Sequence, residues 1–419
     1  MNIETLYNSY AQHFLVDTDT RKIRKNTIYF ALKGANFNGN TFAKEALEKG
    51  ALLSVVDEAR YANQDNIVLV DDVLTTLQEL AQYHREKLGI PIIGLTGSNG
   101  KTTTKELIHA VLSTQLNVKA TFGNLNNHIG VPLTLLSMTP ATEIGIVEMG
   151  ANHHKEIAFL CSIANPDYGY ITNFGKAHLE GFGSIEGVIE AKSELYDYLR
   201  AHKKSAFINQ KNPIQLKKSN GITTLHFDET IQFVEANPLV KILFKGQTIQ
   251  TNLIGNYNFN NIAVAITIGL HFNISDNNIC KAIEGYTPAN NRSQIIQTTK
   301  NNTVILDAYN ANPTSMRAAL NSFKELNASN KVVILGDMFE LGKDSVKEHQ
   351  LIVNFCAELD FDNCFFVGQL FSKTNTSYHK LQTFEALKEL LLTKNYEQTT
   401  FLIKGSRGMA LERVLPFID

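Results

Sequence analysis

The stretch Ile92-Ile93-Gly94-Leu95-Thr96-Gly97-Ser98-Asn99-Gly100-Lys101-Thr102-Thr103 decides how the rest of the chain is read. Ile92–Leu95 has the unbroken apolar character of a strand covered on both faces, and Lys101–Leu112 has the apolar spacing of a helix. A strand that passes through a glycine-rich turn into a helix makes a phosphate site. The turn's N–H groups and the helix N-terminus face the anion, and Lys101 adds a full positive charge. Thr102 and Thr103 add hydroxyls that suit a Mg2+ ion. The common spacing GxxxxGK[ST] would need glycine at position 95, which is Leu95. The loop here is the shorter Gly97-x-x-Gly100-Lys101-Thr102, so the assignment rests on the strand–loop–helix context.

Outward from this loop the alternation continues. Strands are expected at Ile144–Val147 and Tyr168–Ile171, with a helix at Lys155–Cys161 between them, the pattern of a doubly wound parallel sheet. Short strands and polar turns over 222–253 predict an antiparallel flank, followed by a helix at Asn260–Leu270. The polar stretch Thr287–Ser293 reads as a linker. Beyond it strands at Val304–Leu306, Val332–Leu335, Cys364–Val367 and Phe401–Ile403 alternate with helices, a second α/β unit of Rossmann-like type. Before the loop, strands at Ile28–Leu32 and Ile67–Val70 and helices at Phe42–Leu47 and Leu74–Lys87 form an N-terminal unit. The expected division is 1–88, 89–290 and 291–419. It gives an α/β protein of three domains, with a central P-loop parallel-sheet domain between an N-terminal α/β substrate domain and the C-terminal Rossmann-like domain.

Composition agrees with that count. The chain has 419 residues, and one domain per ~150 residues suggests about three. Basic and acidic residues balance, 39 against 41, for a net charge of −2. Such balance gives no general attraction to nucleic acid or to an anionic membrane. No apolar run reaches the ~20 residues that span a bilayer. The N-terminus lacks a basic segment followed by an apolar one. The four cysteines are scattered without a CxxC pair, as expected of free thiols in a reducing compartment. A cytoplasmic monomer is the expectation.

Further segments carry a resemblance. They are Gly123-Asn124-Leu125-Asn126-Asn127-His128-Ile129-Gly130-Val131-Pro132, Glu148-Met149-Gly150-Ala151-Asn152-His153, Ala177-His178-Leu179-Glu180-Gly181-Phe182-Gly183-Ser184 and Ala191-Lys192-Ser193-Glu194. The third unit adds Asp307-Ala308-Tyr309-Asn310-Ala311-Asn312-Pro313, Gly336-Asp337-Met338-Phe339-Glu340-Leu341-Gly342 and Lys404-Gly405-Ser406-Arg407. Together with the phosphate loop, and in this order, they resemble the Mur ligase family, which joins an amino acid or dipeptide to a UDP-muramoyl substrate with ATP. The third-unit motifs resemble the branch that adds D-alanyl-D-alanine, which usually has Asp where His128 stands.

The resemblance implies roles. ATP and Mg2+ are the expected cofactors, and UDP-MurNAc-tripeptide and D-Ala-D-Ala the expected partners. Gly97, Ser98, Asn99, Gly100, Lys101, Thr102 and Thr103 are expected on the phosphates, with Asn258 and Asn261 near the adenine. Arg292, Asp307 and Tyr309 would meet ATP from the third domain. Thr102, Glu148, His178 and a carbamoylated Lys192 are the expected metal ligands; Lys101, Lys192 and His178 carry the catalysis. Lys33, Asn126, Asn127, Lys404, Ser406 and Arg407 are expected on substrate. In the N-terminal domain the family's usual Asp-Gly-His is Asn38-Gly39-Asn40. Competing readings are another ligase of the superfamily, a different Mur branch or folylpolyglutamate synthase, and a nucleotide switch that hydrolyses without ligating. The tripeptide's third residue, diaminopimelate or lysine, is left open by the sequence.

Overall fold

Strand Ile92–Thr96 is buried along its whole length and stands inside a six-stranded sheet. The order across that sheet is Thr223–His226, Ser205–Ile208, Tyr168–Ile171, Ile92–Thr96, Ile144–Glu148, Val118–Ala120, all parallel. From Ile92–Thr96 the chain crosses to the Val118–Ala120 edge, returns at Ile144–Glu148, then passes to Tyr168–Ile171 on the other side. The winding direction therefore reverses beside Ile92–Thr96, and α/β sheets bind ligands at the carboxyl ends of strands at such a point. The computed structural model describes residues 2–289 and 291–419. Met1 and Asn290, the last residue of the expected central domain, lie outside the described residues.

The flank expected to be antiparallel divides in two. Thr223–His226 joins the central sheet as a parallel edge strand. Only Ile231–Ala236, Leu239–Phe244 and Gln247–Ile254 form the antiparallel sheet. An exposed edge strand alternates polar and apolar residues whichever way its neighbour runs, so the pattern does not report direction. The third domain has the order Gln294–Gln297, Thr303–Asp307, Thr400–Lys404, Lys331–Gly336, Asn363–Val367, His379–Leu381. All its pairings are parallel except that of Gln294–Gln297 with Thr303–Asp307. Asp307, Gly336 and Lys404 end three adjacent strands, and Asp307 and Lys404 line the cavity shared with the central domain.

The N-terminal sheet, Val16–Asp17, Ile28–Phe30, Leu53–Val56 and Ile67–Leu69, is tied to the central domain by helix Val73–Leu88. Arg85 from this helix donates to the Asp167 carboxylate at 2.7 Å and to the carbonyls of Ala164 and Asn165. Tyr10 Oη donates to Leu136 O at 2.8 Å. His84 Nε2 lies 3.0 Å from Met138 O, with the rings of Tyr7, Tyr10 and Phe14 around it and Nδ1 buried without a partner.

Burial pushes the His84 pKa down to about 4. An unfolded histidine binds its proton near pH 6.5, so between about 6.5 and 4 the unfolded state holds more protons and stability falls as pH falls. The expected loss is about 3 kcal/mol at full protonation. His84→Gln retains a donor for Met138 O and should flatten this slope. Urea unfolding at pH 7 and pH 4.5 checks it, and equal losses in both proteins would count against the assignment.

Candidate active site

The phosphate loop is set by two close approaches. Gly97 has φ +142°, and a Cβ there would come within 1.9 Å of Thr172 Oγ1. Gly100 has φ +78° and packs on the Asn261 amide. The segment after strand Tyr168–Ile171 clamps the turn between them. Ser98 N donates to Asn173 O at 3.1 Å, Asn99 N donates to Asn173 Oδ1 at 3.1 Å, and Thr172 Oγ1 donates to Asn99 O at 2.6 Å. The Ser98 and Asn99 amides are thus engaged inside the protein. Helix Lys101–Leu112 begins without a side-chain cap, so its first-turn N–H groups at Lys101, Thr102 and Thr103 are the ones left for an anion. Lys101 Nζ folds back to donate to Gly97 O at 2.7 Å. Burial moves its pKa below the ordinary lysine range, with Glu148 opposing and Arg292 adding to the shift.

Glu148 ends strand Ile144–Glu148 and is 1 % exposed. Its Oε1 accepts from Asn126 Nδ2 at 2.9 Å and from Thr102 Oγ1 at 3.4 Å, while Oε2 is buried with no partner among the described residues. A buried carboxylate with a free oxygen beside a threonine hydroxyl fits a divalent cation, because an unpaired buried anion is otherwise costly. Among the described residues no three His, Cys, Asp or Glu side chains converge as a metal cage. A Mg2+ at Glu148 and Thr102 would complete its shell with phosphate and water oxygens.

Lys192 in helix Ile185–Ala201 is 1 % exposed. Its Nζ donates to Ala151 O at 3.0 Å and, among the described residues, forms no ion pair. Burial, reinforced by Lys101, drives its pKa well below the ordinary value. His178 turns toward the third domain, its Nδ1 2.5 Å from Glu340 Oε2. Both residues are left-handed, at φ +51° and φ +62°, and the His178 contact holds the Glu340 carboxyl below its usual range.

A cavity of about 950 Å3 opens over the loop between the two domains. Its walls include Ser98 to Thr103, Asn126, Asn127, Glu148, His178, Asn258, Asn261, Arg292, Asp307, Tyr309, Lys404 and Arg407. The Arg292 guanidinium lies 3.7 Å above the Tyr309 ring, a geometry in which cation–π attraction holds it. Lys404, 2 % exposed, donates to Asp307 at 2.6 Å and to Asn310 O at 3.0 Å. Arg407 is half exposed and paired with Glu412 at 2.6 Å.

Other expected residues have mainly bracing contacts. Gly97, Lys33, Lys192 and Ser406 do not line the cavity. Lys33 pairs with Asp57 at 2.9 Å in the N-terminal domain, where Asn40 also bonds Asp57. Ser406 Oγ accepts from Phe339 N. Asn127 Oδ1 accepts from Ile129 N and Gly130 N. Asn261 donates to Asn258 Oδ1 and accepts from Thr104 behind the loop. Sequence reasoning missed Asn173 and Asn312. Asn312 Nδ2 donates to Asn99 Oδ1 at 2.7 Å and its Oδ1 caps helix Pro313–Glu325. The Asn-Pro pair at a helix start signalled the cap; nothing local signalled the contact across 213 residues.

Comparison with known proteins agrees with this arrangement. Family profiles match in chain order: "Mur ligase family, catalytic domain" over 13–85, "Mur ligase middle domain" over 95–269, and "Mur ligase, glutamate ligase domain" over 291–407. The chain is 37% identical to UDP-N-acetylmuramoyl-tripeptide–D-alanyl-D-alanine ligase of Bacillus subtilis (strain 168), an alignment covering 96% of this chain and 92% of the relative. A crystal structure of MurF from Acinetobacter baumannii superposes with TM-score 0.84 at 29% identity, covering 96% of this chain and 92% of that one. MurF ligase from Thermotoga maritima in complex with ADP gives TM-score 0.84 at 25% identity, covering 96% of each chain.

Lys101→Ala should leave the unfolding midpoint close to wild type, because the ammonium's bonds go only to its own loop. Turnover should fall by at least ~100-fold, the scale of losing one positioned charge, roughly 3 kcal/mol. Steady-state ATP consumption in the presence of both substrates, alongside thermal melts, tests this; near-normal turnover would refute the loop's role.

Proposed function

The chain belongs to the Mur ligase family, and from that premise we propose that the cavity ligates D-alanyl-D-alanine to UDP-N-acetylmuramoyl-tripeptide at the expense of ATP. The observation that carries the reading is the juxtaposition in one cavity of Lys101, Glu148 and the third-domain wall of Arg292, Asp307 and Arg407. One side presents groups for a polyphosphate, the other a guanidinium suited to a carboxylate. On this reading 1–88 holds the UDP-sugar, 89–290 the phosphates, and 291–419 the nucleoside and the incoming dipeptide.

Amide formation from a carboxylate and an amine needs an activated acyl group. The tripeptide's terminal carboxylate oxygen attacks the γ-phosphorus, ADP leaves, and an acyl phosphate forms. The free amine of D-Ala-D-Ala then attacks the carbonyl carbon, loses a proton, and inorganic phosphate leaves. Lys101 and the first-turn N–H groups offset the charge that develops on the transferring phosphoryl oxygens. Mg2+, when bound at Glu148 and Thr102, would neutralise phosphate charge. Arg292 on Tyr309 faces the nucleotide from the third domain. Lys404 is buried on Asp307, whereas Arg407 gives a single guanidinium nitrogen to Glu412 and is otherwise exposed, so Arg407 is the cation presented to the dipeptide carboxylate.

Lys192 is proposed to carry a carbamate. Its amine is buried, unpaired and held toward the neutral form, the state that adds to CO2 with release of a proton. The carbamate converts a buried cation into an anion. Lys192→Ala should lose most activity, and acetate added in solution should restore part of it. Full activity in Lys192→Ala would exclude the role.

The dipeptide should be joined far faster than any single amino acid. A carboxylate held at Arg407 puts a dipeptide's amine one residue, about 3.5 Å, nearer the acyl phosphate, and misplacement by ~1 Å can cost about 100-fold. Mass spectrometry of products from parallel reactions with D-Ala-D-Ala, D-Ala, L-Ala and D-Glu decides it. Equal ligation of a single amino acid would remove the branch assignment while leaving the ligase class.

A further inference from the structure

The reading as a tripeptide ligase leaves the third peptide residue open, and this inference rests on that reading. The carboxylate to be phosphorylated belongs to the third residue, so its side chain begins close to Glu148 and Thr102. The loop leaving Glu148 follows the cavity wall to Lys155 and enters helix Glu156–Ala164.

Several features single out Lys155. Its backbone is left-handed, φ +68°, a conformation that glycine takes freely and a side chain with a Cβ resists. Strain of this kind persists where the surroundings enforce it and clusters at ligand sites. Its side chain is exposed and lines the cavity. Among the described residues its ammonium has no acidic partner. Apart from Glu148, whose free oxygen faces the proposed Mg2+ position, acids of the same wall are already engaged. Glu156 accepts from Asn152 N at 2.6 Å and His153 N at 3.1 Å, Asp307 holds Lys404, and Glu340 contacts His178. The backbone N–H of Lys155 is itself taken by Glu194 at 2.6 Å, which leaves the ammonium as the group with no internal use. One turn on, Phe159 lines the same cavity and is 44% exposed.

We propose that Lys155 sets specificity for the third residue of the peptide. Its ammonium pairs with a side-chain carboxylate, and the aliphatic stem bearing that carboxylate packs on Phe159. The preferred substrate therefore ends in a diamino diacid such as diaminopimelate. A lysine there lacks that carboxylate and would bring only its ammonium against Lys155, with the free oxygen of Glu148 given to Mg2+ on the reading above, and like charges across a contact oppose binding.

The test uses the full chain with ATP, Mg2+, D-Ala-D-Ala and two UDP-muramoyl tripeptides that differ only in meso-diaminopimelate or L-lysine at the third position. Wild type should favour the diaminopimelate peptide in kcat/KM by about tenfold, the scale of one charge pair. Lys155→Ala should bring that ratio near one by raising KM for the diaminopimelate peptide, and Lys155→Glu should invert it. Lys155→Gly should also lose the preference while raising the unfolding midpoint, since glycine relieves the left-handed backbone. A wild-type ratio at or below one, or a Lys155→Ala variant that loses both activities equally, overturns the proposal. Ligation of neither peptide by wild type would instead overturn the tripeptide-ligase reading, and this inference with it.

Discussion

The site depends on the contact between Gly97 and Thr172. A side chain at 97 would overlap the Thr172 hydroxyl, so the loop can lie against the segment after strand Tyr168–Ile171 only because that residue is glycine. From this approach follow the bonds of Ser98 and Asn99 to Asn173, which fix the turn before any anion arrives. Groups already held in place need no reorganisation when charge develops, which is where electrostatic catalysis gains its advantage. The cost is that Ser98 and Asn99 give up their amides, and the anion is left to the helix start.

Around this turn the protein removes Lys192 and Glu148 from water and half-buries Lys101. Glu148 retains an orphan oxygen, and Lys192 finds a carbonyl and the face of the Phe182 ring but, among the described residues, no carboxylate. Isolated buried charges are among the most expensive arrangements a fold can hold. In a structural core they would be replaced by apolar residues or paired with each other. Their persistence at the carboxyl edge of the central sheet fits a site whose missing charges arrive with its ligands.

The third domain closes on the loop through short polar contacts: Asn312 to Asn99, Thr314 to Lys176 N, Glu348 to Lys176 and Glu340 to His178. Asn99 is both a turn residue of the phosphate loop and the partner of a third-domain helix cap. The N-terminal domain is joined differently, by buried aromatic packing and the Arg85–Asp167 pair, an attachment better suited to a rigid seat than to a lid.

Local sequence determined a good deal. The strand–loop–helix at 92–112, the α/β alternation on either side of it and the helix spans are local matters of apolar period and glycine placement, and they were legible. So was the glycine turn that joins this strand to its helix, where close approaches at Gly97 and Gly100 admit no side chain. What tertiary structure decided were relations over long separations. The parallel seating of Thr223–His226, the bracing roles of Lys404, Ser406 and Asn127, the turn of His178 toward Glu340 and the Asn99–Asn312 bond all depend on which side chains meet. A side chain's type gives its capacity for hydrogen bonds and charge; whether that capacity is spent within the fold or left for a ligand depends on partners tens to hundreds of residues away. Lys404 and Lys155 show the difference. Both are lysines beside the same cavity, one bound to Asp307 and 2 % exposed, the other left unpaired by the packing around it.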